Sequence, residues 1–153
     1  MVVVCIVAIL AALLFLVVPS LIKRAEAAHC MNNMKQLHVI FSAYMQDKQH
    51  WPQAPEDQSS TEATEDWWLK EMQDYGSTLA IWQCPTFKRL VTARSKNGIP
   101  RLSYSPTSFD DRPGTPFKWN TQPWFIEMAD MHGYGALVCF PDGSIRSMDD
   151  VLK

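Results

Sequence analysis

Asp130-Met-His132 together with Asp142 is the one grouping in this sequence that could serve as a metal or acid–base site. A hairpin over the residues that follow would draw the loop before Ala136 toward the strands, although it does not obviously bring all three groups to one point. The plainer expectation is that His132 and Asp142 make hydrogen bonds that fix the two ends of the hairpin, with no resident metal or cofactor. Motifs of catalysis are missing elsewhere: there is no G-x-S-x-G, P-loop, H-E-x-x-H or C-x-x-C, and the four His residues are scattered. No catalytic residue is assigned, and no enzymatic activity is expected. Of the four cysteines, Cys5 lies in an apolar run and Cys139 in an expected strand, so both read as buried free thiols. Cys30 and Cys84 remain, either as a disulfide or as two reduced thiols. A bond between them would tie a long helix to the loop that opens the sheet region, and closing a loop of about 55 residues contributes roughly 4 kcal/mol by the chain-entropy relation.

The element that must position these groups is the first. From Val2 to Ile22 no side chain is charged, and only Pro19 and Ser20 interrupt the apolar run. At about 1.5 Å per residue, twenty such residues reach roughly 30 Å, the thickness of a bilayer's hydrocarbon. Nothing basic precedes the run, and Lys23 and Arg24 follow it directly. An uncleaved anchor is therefore expected in preference to a signal peptide. Beyond Arg24 the helical period continues but becomes two-faced. Met34, Leu37, Phe41 and Tyr44 recur at spacings of three and four, flanked by Met31, Ile40 and Met45, with Asn33, Lys35, Gln36, Ser42 and Gln46 between them. One helix over 1–48 follows, spanning a membrane over about 2–22, with a stripe that a globular domain of 49–153 must cover.

These residues carry a resemblance. IVAILAALL at 6–14, Pro19, a basic junction and Cys30-Met-Asn-Asn-Met-Lys-Gln-Leu37 resemble bacterial type IV pilin-like proteins and type II secretion pseudopilins, in particular the subgroup ending in an H-X9-DG element. Trp51-Pro52, Cys84-Pro85, Ser103-Tyr104, Asp130, His132 and Phe140-Pro-Asp142-Gly143 stand in the order those proteins show. The basic leader, cleavage-site Gly, Phe and Glu of a prepilin do not stand ahead of Val2, which leaves open a start further upstream or a divergent member that is not processed in the usual way. The resemblance implies an α+β fold in which a long N-terminal membrane-spanning helix packs on a small antiparallel sheet. It implies a structural subunit of the inner membrane with a periplasmic or extracellular body. Its partners would be membrane lipid, copies of itself or other pilin-like subunits, and the secretion or pilus assembly machinery. Calcium is a further implication, since related pseudopilins use it in their C-terminal region.

In the body, Trp51-Pro52 and Pro55 should stop the helix. Thr64 to Tyr75 reads as a short helix capped by Thr64, with Glu65 and Asp66 at its positive end and Gly76 closing it. Trp68, Leu69, Met72 and Tyr75 share a face, and Trp67 and Trp68 read as core and rim aromatics. Leu79 to Cys84 reads as a short strand or extended segment, Phe87 to Ala93 is ambiguous, and Lys96-Asn97-Gly98 is a turn. Leu102 to Ser105 is an expected strand, Thr107 to Gln122 a long surface loop, and Trp124 to Met128, Ala136 to Phe140 and Ser144 to Met148 are further strands. Asp142-Gly143 at the last connection predicts a type I′ hairpin turn.

Charge and composition limit what the body binds. The 153 residues carry a net charge of −2, about −4 once Lys23 and Arg24 are set aside, and there is no basic run, which argues against a nucleic-acid partner. Glu56 to Asp74 holds seven carboxylates against Lys70 and reads as a solvated surface. Ala8, Ala11 and Ala12, with Pro19, mark the helix face where copies could approach closely. Lys23 and Arg24 would by the positive-inside tendency hold the body in the cytoplasm, whereas pilin-like proteins export theirs past similar junctions. A different reading is an envelope-anchored domain that never polymerises and holds a ligand such as a glycan on Trp119, Trp124 or the acidic loop.

Overall fold

Helix α1 runs unbroken over Val2–Lys48 and is the axis on which the other elements are laid. The structure, a computed structural model, describes residues 2–55, 60–94, 101–133 and 135–153, apart from the side chains at 5, 8–10, 16 and 90–94. The expected turn at Lys96-Asn97-Gly98, part of the acidic loop, and the side chains of Cys5 and Ala8 lie outside these. α1 continues through Pro19, whose ring removes one helical N–H, while the Ser20 hydroxyl donates to the Val17 carbonyl at 2.8 Å. It ends at Lys48, three residues before Trp51. Gln49 takes the left-handed conformation (φ 63°) and its N–H donates to the Met45 carbonyl at 3.0 Å, the geometry of a helix C-terminus usually given to Gly.

Four short strands form an antiparallel meander in the order β1 (Tyr104–Pro106), β2 (Phe125–Glu127), β3 (Leu137–Cys139) and β4 (Ile145–Ser147). The architecture is thus α+β, a long N-terminal helix packed on a small four-stranded sheet. Pairing of Tyr104 with Glu127, Phe125 with Cys139 and Leu137 with Ser147 fixes the register. Alternation then places Tyr104, Phe125, Glu127, Leu137 and Cys139 on the face toward α1. All of them are buried.

The stripe of α1 supplies the other half of the core. Met34, Leu37 and Phe41 are fully buried and Tyr44 nearly so. The Phe41 ring lies 4.7 Å from that of Phe125, 5.0 Å from Trp51, 5.6 Å from Trp68 and 6.0 Å from Trp82. His38, on the same side, stacks on Trp124 at 4.6 Å and meets the Pro141 carbonyl at 2.9 Å. That carbonyl only accepts, so the His38 Nε2 carries the proton.

Several local expectations are corrected. The second helix, α2, covers Thr61–Glu71 and is capped by Ser60, whose hydroxyl accepts from the Ala63 N–H, so Thr64 is an interior residue. A 3-10 turn over Gln73–Tyr75 follows, closed by left-handed Gly76. Glu65 is not a solvated helix-end charge: it is buried and accepts the N–H groups of Arg101 (2.8 Å) and Leu102 (3.1 Å), anchoring the approach to β1. Residues 79–82 form turns, not a strand, and Pro85–Arg94 is helix α3. Pro85 takes the first helical position, where no N–H is needed. The loop after β1 contains a short helix, α4 (Thr115–Lys118), and the chain closes with α5 (Met148–Val151). The β3–β4 connection is not type I′, because Asp142, the first central residue of such a turn, does not take positive φ. Only Gly143 does (φ 76°), giving a three-residue loop in which the Phe140 N–H donates to the Ser144 carbonyl at 2.9 Å. A Cβ on Gly143 would lie 3.3 Å from the His38 ring, so the turn must be this close to α1.

From Val2 to Arg24 the described side chains of α1 are almost all exposed. Among the described residues no helix is long and apolar enough to cross a membrane. The two halves of α1 should therefore respond differently to truncation. Phe41→Ala is expected to lower unfolding free energy by about 3–5 kcal/mol, and Phe15→Ala, at an 82% exposed position, to change it by less than about 0.5 kcal/mol. Urea denaturation of the full chain in micelles measures both; equal losses would mean that the apolar half also belongs to the folded core.

Candidate functional site

Two features stand out against the ordinary core. The first is the uncovered apolar half of α1. Val2, Leu14, Phe15 and Leu21 are more than half exposed, Ala12 is exposed and Ala11 partly so, and Pro19 lies on the same stretch. An exposed hydrophobic surface of this length is larger than soluble monomers usually leave bare.

The second is polar and buried. Cys30, on α1, and Cys84, just before α3, are joined by a disulfide with their Cα atoms 5.4 Å apart. The bond ties the helix to the segment that leads into the sheet region, and the Cys84 N–H donates to the Ser103 hydroxyl at 2.8 Å. Glu127 reaches the same place because alternation along β2 turns it inward with Phe125. Its Oε2 accepts the Leu137 N–H at 3.1 Å. His132 arrives from the loop between β2 and β3, where Asp130 Oδ1 accepts the His132 and Gly133 N–H groups at 3.2 and 2.7 Å. The His132 Nε2 then lies 3.4 Å from Glu127 Oε1 and 3.6 Å from Cys84 Sγ. Glu127 Oε1 and His132 Nδ1 are buried without a hydrogen-bond partner.

Burial sets the charge of this pair. It pushes the Glu127 carboxyl up to about 7, with the Leu137 amide opposing. It also holds His132 below the usual imidazole value, against the fields of Glu26 and Asp130. Both directions favour the uncharged pair over an ion pair in the interior. Among the described side chains the remaining thiol, Cys139, is free and buried, and burial pushes it up to about 12, which makes it a poor nucleophile.

The structure does not gather Asp130, His132 and Asp142 into a site. Asp130 caps its own turn, and Asp142 accepts the Ser144 N–H at 2.8 Å within the hairpin. Among the described residues the grouping whose ligand atoms do converge, all within 4.8 Å of one another, is Cys30, Cys84, Glu127 and His132. Glu127 went unnoticed in the sequence because Trp124 to Met128 reads as an apolar strand. The signal was the pleat, which gives Glu127 the same face as Phe125. Of the two aromatics suggested as a ligand platform, Trp124 is fully buried with its Nε1 donating to the Pro116 carbonyl at 2.8 Å. Trp119 is half exposed beneath the Lys118 ammonium.

Fold and site together define an α+β protein whose rod is pinned to its body by a covalent link that lies beside a buried carboxyl–imidazole pair. Comparison with protein-family models, curated proteins and solved structures finds no match to this chain.

Beside this cluster, Glu26 forms a surface latch between α1 and α3. Thr86 Oγ1 donates to it at 2.6 Å and Arg89 at 2.8 and 3.2 Å. The Thr86 hydrogen bond, with help from Arg89, holds the Glu26 carboxyl below the ordinary carboxylate value. The native state therefore binds fewer protons here than the unfolded chain in acid. Stability from the latch is full above the ordinary carboxylate pKa and is lost as pH falls through the folded value. Glu26→Gln should lower stability at neutral pH and make the acid limb of a urea-denaturation series shallower. Superimposable profiles would mean that the latch contributes nothing.

Proposed function

We propose that the chain is a pilin-like structural subunit, held in a bacterial inner membrane by residues 2–22 and assembling with copies of itself or related subunits through that segment. The observation that carries the reading is the division of α1. One half is core to its own body, and the other is an apolar helix with large side chains exposed and nothing of its own chain against them. Lipid would cover that half in the membrane, and neighbouring helices would cover it in a filament or pseudopilus. Ala8, Ala11 and Ala12 would permit close approach. The body then forms the outer surface and works by presenting and spacing itself, without chemistry of its own.

The Cys30–Cys84 bond supports a periplasmic or extracellular body, because such bonds persist where the surroundings are oxidising. Assembly machinery of the secretion or pilus type would be the partner that extracts the helix from lipid. The anchored ligand-binding reading retains only Trp119 as an exposed aromatic platform of the two proposed, which weakens it.

Leu14→Cys or Val18→Cys, introduced singly into the full chain and oxidised in native membranes, should give disulfide-linked dimers, and the double variant a ladder. Monomers alone, at expression levels where the chain is abundant, would favour the anchored binder over the assembling subunit.

A further inference from the structure

The disulfide, the carboxyl and the imidazole converge, with their ligand atoms all within 4.8 Å of one another. We propose that when the Cys30–Cys84 bond is reduced, Cys30, Cys84, His132 and Glu127 close on a single Zn2+ as a tetrahedral site of two sulfurs, one nitrogen and one oxygen. Zinc–sulfur bonds of about 2.3 Å and zinc–nitrogen or zinc–oxygen bonds of about 2.05 Å put tetrahedral neighbours about 3.6 Å apart for S and N, and about 3.4 Å for N and O. The Cys84 Sγ to His132 Nε2 and His132 Nε2 to Glu127 Oε1 separations are 3.6 and 3.4 Å. Two edges of the tetrahedron are thus already built. A third requires the two sulfurs to part to about 3.8 Å once no longer bonded, a side-chain rotation at each cysteine.

A second, independent observation points to a ligand. Glu127 is 1% exposed, yet its Oε1 faces the cluster with no donor to satisfy it. Buried acceptors are almost always paired, because leaving one bare costs about 1–3 kcal/mol. Part of an outer shell is present: Glu127 Oε2 is held by the Leu137 amide and the His132 backbone by Asp130, while the His132 Nδ1 has no hydrogen-bond partner. Access is available through a cavity of about 520 Å³ beside α1, lined in part by Arg24, Ala27, His132 and Leu137. A mixed sulfur, nitrogen and oxygen set suits zinc, and four protein ligands make the site structural.

The chemistry balances with a dithiol as reductant. It delivers two electrons and two protons to the Cys30–Cys84 bond, which breaks to two thiols as the reductant closes its own disulfide. Zn2+ then displaces both thiol protons, and the proton of the Glu127 carboxyl where it is protonated, to solvent. One cross-link replaces another: the same helix stays tied to the same body, now with β2 and the β2–β3 loop included. The inference is independent of whether the chain assembles.

The full chain in detergent micelles, reduced with dithiothreitol, freed of it without air and titrated with Co2+, tests this directly. The expected result is tetrahedral cobalt–thiolate absorption that saturates at one Co2+ per chain, is displaced by Zn2+ and is absent from the oxidised protein. His132→Ala and Glu127→Gln should each weaken binding by about tenfold or more. A Cys5→Ser, Cys139→Ala background should leave the bands in place. No bands from reduced protein, bands lost in that background, or bands unchanged by both Glu127→Gln and His132→Ala would each overturn the site.

Discussion

The packing of Phe41 among Trp51, Trp68, Trp82 and Phe125 joins every layer of the body to one helix. These rings come from α1, from the segment after it, from α2, from the turns before α3 and from β2. Aromatic side chains bury large areas, and their tilted and edge-on contacts add to that burial. The sheet has strands of three residues, too short to hold together on backbone pairing alone. It persists because its inner face is covered by the α1 stripe. Remove the stripe and the body loses half its core; remove the body and Met34, Leu37, Phe41 and Tyr44 become an exposed hydrophobic edge.

That dependence explains why the helix is pinned at several points along its covered half. Glu26 is latched to α3, Cys30 is bonded to Cys84, His38 meets the β3–β4 turn, and Tyr44 donates to Glu71 at 2.9 Å. Each contact fixes a different element at a different height on the rod. A body of this size cannot tolerate sliding by a helical turn, and the bonds set its register. The buried Glu127–His132 pair sits at the Cys30 level, in a place a hydrophobic core would ordinarily fill. Retaining two titratable groups there costs desolvation, and that cost is what sets the cluster apart from the rest of the interior.

Much of this was legible in the chain. The α1 stripe is a periodic signal over many residues, and three of the four strands fall inside segments chosen from alternation and turn residues. Reading failed where a residue has two meanings. Pro85 reads as the end of an extended segment, yet it opens a helix, since the first helical position needs no N–H. Asp142-Gly143 suggests a type I′ turn, but Pro141 suits the first central position of a turn over 140–143, which leaves the left-handed conformation to Gly143 alone. Glu65 read as a helix-end charge because its partners, the amides of Arg101 and Leu102, lie more than thirty residues on. Cys30, Cys84 and the neighbouring Glu127 and His132 come from three separated segments, and only the fold brings them together. Local spacing carries no trace of such a grouping.

The two ends of α1 differ in kind: from Ala27 onward it packs on its own body, and before Arg24 its described side chains are almost all exposed. Carbene labelling from a lipid-phase diazirine probe, with the full chain reconstituted in vesicles and the sites mapped by mass spectrometry, reads both at once. Label concentrated within residues 2–22 and absent from 34–44 is the predicted result. Protection of 2–22 together with labelling at Leu37, Phe41 or Tyr44 would contradict it.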